Sequence, residues 1–341
     1  MLAIRDEARQ LAESIGRTAE WKRLDAKMGA LLGTREARLS SPAAIARSRG
    51  SPYDTNRVAL FERLATELTR RPDGSTPAPT RDAEGRSTFA FFEAYFSNYI
   101  EGTEFPVEEA ADIVYNGRIP ADRPEDAHDI LGVWRVVSNP SDMARTPESA
   151  DELLDLLRER HAMVLEERAT VSPGQFKTRP NRVGTLEFVQ PDLVVGTLNE
   201  GFAILRNLDA PFGRAVFVHF LVSEIHPFAD GNGRIARIMM NAELERARRE
   251  RIIVPTIFRD DYIGAQRALS TGHSPEPIVK ALEHLADWTA AVRWGAFEES
   301  RRVLAECNAF ETTAVRDAKG LRLEFPNPPP KEQLGRSRIL R

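Results

Sequence analysis

Residues 226–237 read His-Pro-Phe-Ala-Asp-Gly-Asn-Gly-Arg-Ile-Ala-Arg, a segment with two glycines and two arginines. The preceding residues 212–225 and the following residues 233–249 space their apolar side chains three and four positions apart, which is the period of an α-helix. The two glycines favour a turn between these stretches. The sequence therefore predicts a helix that ends near His226, a tight loop, and a second helix that begins near Gly233.

The same helical period dominates the rest of the chain. It predicts a first helical stretch over 2–32, an aromatic-rich helix over 88–100 and a long helical stretch over 275–305. Residues 71–86 are interrupted by Pro and Gly and predict a loop, whereas 181–189 alternate as strands do. Further helices are predicted over 57–70, 107–115, 125–138, 148–165, 191–206 and 259–270. We therefore predict an all-α fold with one small β-hairpin.

The composition is that of an ordinary globular protein. Of 341 residues, 42% are hydrophobic, and the net charge of −4 gives no reason to expect nucleic-acid binding. The single cysteine, Cys307, cannot form an intrachain disulfide, which fits a reducing compartment. The first residues lack the apolar run of a signal peptide, and no apolar stretch approaches membrane-spanning length. We therefore expect a cytoplasmic protein without membrane contact.

The start of the second predicted helix has the chemistry of a phosphate site. The first turn of a helix exposes unpaired backbone N–H groups and a partial positive charge. Gly231 and Gly233 let a phosphate approach that backbone closely. Arg234 and Arg237 are three residues apart on the same face, where each can bind phosphate oxygens.

Two further residues of this segment carry reactive side chains. Asp230 is an oxygen ligand suited to a magnesium ion that also binds phosphates. His226, four residues earlier, can accept a proton from a hydroxyl near neutral pH. Each residue alone is more often structural, since Asp-Gly and Asn-Gly mark turns and a histidine at a helix end is common. Their combination within twelve residues favours a catalytic site.

The segment resembles the signature of the Fic family, HxFx[D/E]GNGRxxR, and matches every fixed position. The resemblance implies transfer of AMP from ATP to a Ser, Thr or Tyr hydroxyl, with His226 as the base and Asp230 holding Mg²⁺. It also implies that Asn232 and Gly233 form part of an anion hole and that the arginines bind the remaining phosphates. Relatives that act as kinases carry Lys where this chain has Gly233, which weighs against kinase activity.

Residues 97–102, Ser-Asn-Tyr-Ile-Glu-Gly, match the inhibitory motif of the same family, [S/T]xxxE[G/N]. Ser97 and Glu101 are four apart on one helical face, so the hydroxyl can support the carboxylate, and Gly102 can end the helix. The resemblance implies that Glu101 pairs with Arg237 and keeps that arginine from the γ-phosphate. Without the neighbouring signature, Glu101 would be interpreted as a solvated residue.

Two more features are implied by the resemblance. Residues 174–191 look like the family's flap, a hairpin that pairs by main chain with a target protein, or with the chain itself in auto-modification. Tyr262 lies where relatives place an aromatic residue that lines the nucleobase pocket. The remaining histidines show no metal-ligand spacing: His128, His161, His219, His273 and His284.

The resemblance covers roughly residues 90–290. We expect an N-terminal helical region over 1–85, a Fic core over 86–290, and a C-terminal helix with an irregular tail over 291–341. The core would include an inhibitory helix (about 88–102) and the flap (about 181–190). The terminal regions could recruit a partner or form a homodimer.

Three alternatives to AMP transfer remain open at this point. The same loop would serve transfer of UMP or phosphocholine. It would also serve removal of AMP, with Glu101 activating water. A non-enzymatic nucleotide-sensing module is the third alternative, although the intact His226 argues against it.

Overall fold

The computed structural model describes residues 2–32 and 34–326. Within those residues the predicted all-α class is confirmed, and strands contribute only one antiparallel hairpin. Most of the predicted irregular tail, residues 327–341, lies outside the described part of the chain. Across the described ranges, no helix combines the length and the apolar character needed to cross a lipid bilayer.

The helices of the first half of the chain are α1 (Leu2–Ser14), α2 (Thr18–Leu31), α3 (Pro42–Ser48), α4 (Thr55–Thr69), α5 (Ala83–Ile100), α6 (Val107–Asn116), α7 (Pro124–Val137), α8 (Pro140–Met143) and α9 (Ala150–Val164). Those of the second half are α10 (Val194–Leu205), α11 (Pro211–Ile225), α12 (Asn232–Arg246), α13 (Arg259–Ser270), α14 (Glu276–Ala291), α15 (Phe297–Glu306) and α16 (Thr313–Lys319). The hairpin pairs β1 (Arg182–Val183) with β2 (Leu186–Glu187). Short 3-10 turns occur at Ala169–Val171, Pro191–Leu193 and Thr256–Phe258.

Two of the predicted long helical stretches are divided in the structure. The stretch over 2–32 becomes α1 and α2, because Gly16 between them has a left-handed φ of 68° that a right-handed helix cannot continue through. The stretch over 275–305 becomes α14 and α15. Between these two helices Trp294 packs edge-on against Phe89, with ring centroids 5.0 Å apart. Both breaks arise from tertiary packing and backbone geometry that the apolar period does not encode.

Helix α5 begins earlier than predicted, inside the segment 71–86 that the sequence assigns to a loop. The Asp82 carboxylate caps it by accepting a hydrogen bond of 2.8 Å from the Gly85 N–H. Gly85 fits this position because a Cβ there would lie 2.8 Å from the Trp294 carbonyl oxygen. Asp and Gly are common both at the start of a helix and in turns, so the sequence alone does not distinguish a helix start from a loop here.

The core packs α5 on two sides. Its residues Ala90 and Ala94 belong to a hydrophobic cluster shared with α4, α11 and α12. Its residues Phe92 and Phe96 belong to a second, aromatic cluster shared with α6 and α15. A helix that is apolar on all sides is buried, so packing fixes the position of the C-terminal end of α5.

A close contact between α7 and α9 gives a stability prediction. A Cβ on Gly132 of α7 would lie 2.3 Å from the carbonyl oxygen of Val164 in α9, and that oxygen cannot move without the helix. We expect Gly132→Ala to lower the free energy of unfolding by about 1–3 kcal/mol, the usual cost of overpacking a core. Urea denaturation measures the change.

Gly264→Ala in α13 is the matched control, because a Cβ at Gly264 would point into open space. This substitution should raise the free energy of unfolding by up to about 1 kcal/mol, since Ala is the better helix former. Equal effects of the two substitutions would contradict the close approach of α7 and α9.

Candidate active site

Residues 226–231 form the loop that reverses the chain direction between α11 and α12. His226, directly after α11, has a left-handed φ of 54°, and Gly231, directly before α12, has a φ of 73°. Phe228 between them is fully buried and anchors the loop in the core. The predicted helix, loop and helix are therefore all present, with α12 beginning at Asn232.

The side chain of Asn232 closes this loop on itself. Its Oδ1 accepts a hydrogen bond of 2.8 Å from the Phe228 N–H, and its Nδ2 donates one of 3.0 Å to the Phe228 carbonyl. The residue is buried. These two bonds turn the Asn232 side chain toward the Phe228 backbone, and its contribution to an anion hole stays a prediction.

One of the two ring nitrogens of His226 is hydrogen-bonded to the backbone. Its Nδ1 lies 3.1 Å from the Ser223 carbonyl; because a carbonyl only accepts, Nδ1 carries the proton and Nε2 is left as the basic nitrogen. Phe188 of the hairpin segment stacks on the imidazole, with ring centroids 3.8 Å apart and planes 8° apart. Burial lowers the pKa of His226 to about 4. The side chain is therefore neutral at pH 7 and able to accept a proton.

Glu101 and Arg237 form the ion pair that the sequence predicts. The Arg237 Nη2 lies 2.7 Å from the Glu101 Oε1, and the guanidinium is almost fully buried. Ser97 does not support Glu101 as predicted. Instead, its hydroxyl accepts a 2.9 Å hydrogen bond from the Arg237 Nε, and its carbonyl accepts a 2.8 Å bond from Nη2. Ser97 lies inside α5, so its hydroxyl faces the arginine that packs on that helix rather than the carboxylate beyond its end.

The Glu101 carboxylate also touches the first turn of α12. A Cβ on Gly233 would lie 2.1 Å from the Glu101 Oε1, so only glycine leaves room for the carboxylate there. A carboxylate is stabilised at this place by the partial positive charge of the helix N-terminus. Glu101 therefore occupies the surface that the sequence predicts as the phosphate site.

Arg234, which was predicted to bind phosphate, is bonded to other protein side chains in the structure. Its side chain is buried, forms an ion pair with Asp129 of α7, and lies 3.3 Å from the Asn98 Oδ1. Asp129 also accepts a 2.9 Å bond from Arg168. The guanidinium is committed to joining α12, α7 and α5, a role that its spacing from Arg237 could not show.

Tyr262 is buried, with 1% of its surface exposed. Its hydroxyl is hydrogen-bonded to the His219 Nε2 and lies beside Arg237. The ring offers no exposed face on which a nucleobase could stack, so the predicted role in the base pocket does not fit this geometry. The single-residue resemblance could not reveal that α13 turns this side chain into the core.

The base of the hairpin is hydrogen-bonded to the loop between α11 and α12. The backbone N–H of Lys177 donates a 2.8 Å bond to the Pro227 carbonyl, and the Asn181 Nδ2 donates a 2.9 Å bond to the Phe228 carbonyl. Arg57 of α4 donates to the Glu187 carbonyl in β2 and pairs with Glu224 of α11. The predicted flap therefore lies over the loop, and helix α4 holds its far strand.

The sequence analysis did not identify three residues of this site. They are Phe188, which stacks on the His226 ring, Asp129, which pairs with Arg234, and His161. His161 of α9 is buried beneath the loop, with its Nε2 3.1 Å from the Asp230 carbonyl. None of the three lies near the 226–237 segment in sequence. A histidine bound to backbone groups leaves no spacing pattern that could have identified it.

Known proteins resemble this chain in sequence and in fold. A model of the Fic/DOC family matches residues 151–244. Protein adenylyltransferase fic-1 of Caenorhabditis elegans is 26% identical over 192 residues, which are 55% of this chain and 38% of that protein. Protein adenylyltransferase Fic of Nematostella vectensis is 27% identical over 235 residues, or 66% of this chain and 53% of that protein. The chain thus matches about half or less of the length of these curated relatives.

Solved structures agree on the fold. Fic-1 from C. elegans superimposes with a TM-score of 0.52 at 18% identity, covering 89% of this chain and 88% of that one. A Fic family protein from Desulfovibrio desulfuricans gives a TM-score of 0.50 at 18% identity, covering 80% and 86%. At such identities the likeness establishes the helical architecture alone.

The state of His226 can be measured by NMR. At pH 6 we expect the folded protein to show His226 as a neutral imidazole protonated at Nδ1, because its pKa is lowered to about 4. In the urea-unfolded chain the same residue should be about three-quarters protonated, given an ordinary pKa near 6.5. Since the folded pKa is the lower one, this group costs stability as the pH falls from about 6.5 to about 4 and has no effect above that range.

Nitrogen chemical shifts of labelled histidines report both the charge and the protonated nitrogen. The signals of His226 are identified by their loss in His226→Gln. A cationic His226 at pH 6, or a proton on Nε2, would contradict the buried, Ser223-bound imidazole.

Proposed function

We propose that this chain is a protein adenylyltransferase, which transfers AMP from ATP to a hydroxyl side chain of a protein; the match of residues 151–244 to the Fic/DOC family model supports this. One observation supports this most directly. A neutral His226 with its Nε2 unprotonated lies in the loop before α12, together with Asp230, and Arg237 lies on that helix. A general base next to an anion-binding helix end is the arrangement that nucleotidyl transfer to a hydroxyl requires.

The proposed reaction is a substitution at the α-phosphorus of ATP. The target hydroxyl oxygen forms a bond to that phosphorus while the bond to the pyrophosphate oxygen breaks. The hydroxyl proton passes to the His226 Nε2, and pyrophosphate leaves with the bonding electrons. The first N–H groups of α12 stabilise the charge that develops on the phosphate oxygens. Arg237, once separated from Glu101, binds the phosphates that leave.

Asp230 fits a Mg²⁺ ion shared with the phosphates. Its carboxylate is half exposed, and the nearest cation, Arg234, stands 3.7 Å away. The described residues contain no cluster of three or more metal-binding side chains. Mg²⁺ bound to nucleotides usually takes only one or two protein carboxylates and fills its other positions with water and phosphate oxygens. When bound, such an ion neutralises phosphate charge and orients the chain of phosphates.

The proposal includes self-inhibition. Glu101 holds Arg237 at 2.7 Å and lies against Gly233, so both the cation and the helix end are occupied by a carboxylate. ATP that binds beside Glu101 cannot place its γ-phosphate on Arg237. Its α-phosphate is then misaligned for attack, and a misplacement of about 1 Å is enough to cost a large factor in rate.

The flap accounts for how a protein target would bind. Strand β1 and strand β2 pair only with each other in the described residues, and Val183 is half exposed. An extended target segment can add to an edge of such a hairpin through main-chain hydrogen bonds. The hairpin root lies on the catalytic loop, so a strand added there passes close to His226. This recognition reads backbone, so it applies equally to another protein and to a segment of this chain.

Incubation with ATP labelled at the α-phosphate and Mg²⁺ tests the proposal. We expect Glu101→Gly to raise incorporation of label into protein by at least about tenfold, which corresponds to about 1.4 kcal/mol in the barrier. Adding His226→Ala to that variant should abolish the incorporation, because no base then accepts the proton.

Glu104→Gly is the matched control, because it removes a carboxylate three residues away that makes no ion pair with Arg237. It should leave incorporation at the level of the unchanged chain. Equal labelling by the Glu101 and Glu104 variants would overturn self-inhibition. No label in any variant, with or without added cell lysate, would favour a nucleotide-sensing module over an enzyme.

A further inference from the structure

His161 lies on α9 directly beneath the catalytic loop, and its imidazole is fully buried. Both ring nitrogens are bound to backbone groups. The Gly174 N–H donates a 2.9 Å hydrogen bond to Nδ1, and Nε2 lies 3.1 Å from the Asp230 carbonyl. An amide N–H only donates and a carbonyl only accepts, so Nδ1 must be unprotonated and Nε2 must carry the proton. One neutral tautomer alone satisfies both partners.

The loop is also packed against this histidine. The His161 ring stacks on Phe228, with centroids 3.8 Å apart and planes 10° apart. A Cβ on Gly231 would lie 2.7 Å from the Leu165 Cδ1 and 3.7 Å from the His161 Nε2. The backbone at 230–231 therefore lies close to the C-terminal end of α9, with a hydrogen bond at Asp230 and no room for a side chain at Gly231.

We propose that His161 is a positioning residue, which sets the backbone of Asp230 at the start of α12 and ties it to Gly174 at the root of the flap. The inference rests on the proposed function, in which Asp230 holds a metal ion with the phosphates. The imidazole holds the carbonyl of this residue inward, while its carboxylate is half exposed and faces outward. The first N–H groups of α12 keep their direction for the same reason.

The coupling to the flap distinguishes this role from that of a core residue. Lys177 and Asn181 bind the carbonyls of Pro227 and Phe228, on the His226 side of the loop. The bridge through His161 is the connection on the Asp230 side. A residue that only fills space would be replaceable by an aromatic ring of similar size. A residue that carries hydrogen bonds would be replaceable by an amide that restores them.

The test compares His161→Phe with His161→Gln in the Glu101→Gly background. Phe keeps the stack on Phe228 but leaves both backbone groups without a partner, whereas the Gln Nε2 can still donate to the Asp230 carbonyl. We expect Phe to raise the Mg²⁺ concentration needed for half-maximal AMP transfer by about 10–100-fold, the usual effect of losing a partner behind a metal ligand. Gln should recover most of that loss.

Amide hydrogen exchange of the metal-free protein gives a readout that does not depend on activity. In His161→Phe we expect faster exchange at Gly174 and across 229–232 than in the parent. Leu153→Ala is the matched control for general destabilisation, because Leu153 is a buried residue two turns earlier on the same helix. It should lower the unfolding temperature while leaving the Mg²⁺ requirement and the exchange at Gly174 unchanged.

The outcomes separate this inference from the proposed function. If Glu101→Gly itself transfers no AMP, the proposed function fails, and the exchange at Gly174 and 229–232 still decides the role of His161. If His161→Phe matches Leu153→Ala in Mg²⁺ requirement and in exchange, His161 is a core residue and the inference is wrong. A Gln variant no better than Phe would also overturn it.

Discussion

The first turn of α12 must satisfy backbone N–H groups that have no partner inside the helix, and the site is organised around that need. At rest the Glu101 carboxylate lies against this turn at Gly233 and pairs with Arg237. In the proposed reaction, phosphate oxygens take the same place. In the proposed mechanism, Glu101 and ATP therefore compete for one helix end because both carry negative charge.

Two arginines near the start of α12 have different partners, although they are three residues apart. Arg234 is buried in an ion pair with Asp129, which also binds Arg168, so it holds helices together. Arg237 is bound by Ser97 and by a carboxylate that is still a quarter exposed. A cation whose carboxylate partner lies near the surface can exchange that partner for phosphate, whereas one paired in the core cannot do so without a large desolvation cost. Arg237 is therefore the arginine better placed to exchange its partner for phosphate, while phosphate binding by Arg234 stays a prediction.

Local sequence was sufficient where the chemistry is contiguous. The helix, loop and helix around 226–237 follow from a short local pattern. The pairing of Glu101 with Arg237, 136 residues apart, was implied by the family resemblance and not by local sequence. The sequence was insufficient where a side chain chooses between distant partners. Ser97 faces Arg237 rather than Glu101, and Tyr262 points into the core, because packing of α5 and α13 decides those directions. The hydrogen bonds of His161 go only to backbone groups, so no residue spacing in the sequence identifies it.

The placement of Glu101 constrains how the proposed inhibition could be relieved. Helix α5 is packed on two sides, so moving it would expose two hydrophobic clusters. Glu101, however, follows the last residue of that helix and precedes Gly102, whose φ is 92°. Its carboxylate can leave by a side-chain rotation or a backbone change at this junction, without unfolding α5. Arg237 would then keep both hydrogen bonds to Ser97 but lose the carboxylate that balances its charge, so a phosphate has to replace Glu101 for the displaced state to be favourable. Relief therefore costs an ion pair between a buried guanidinium and a partly exposed carboxylate, and a ligand that favours the displaced state by a few kcal/mol is enough to shift the equilibrium.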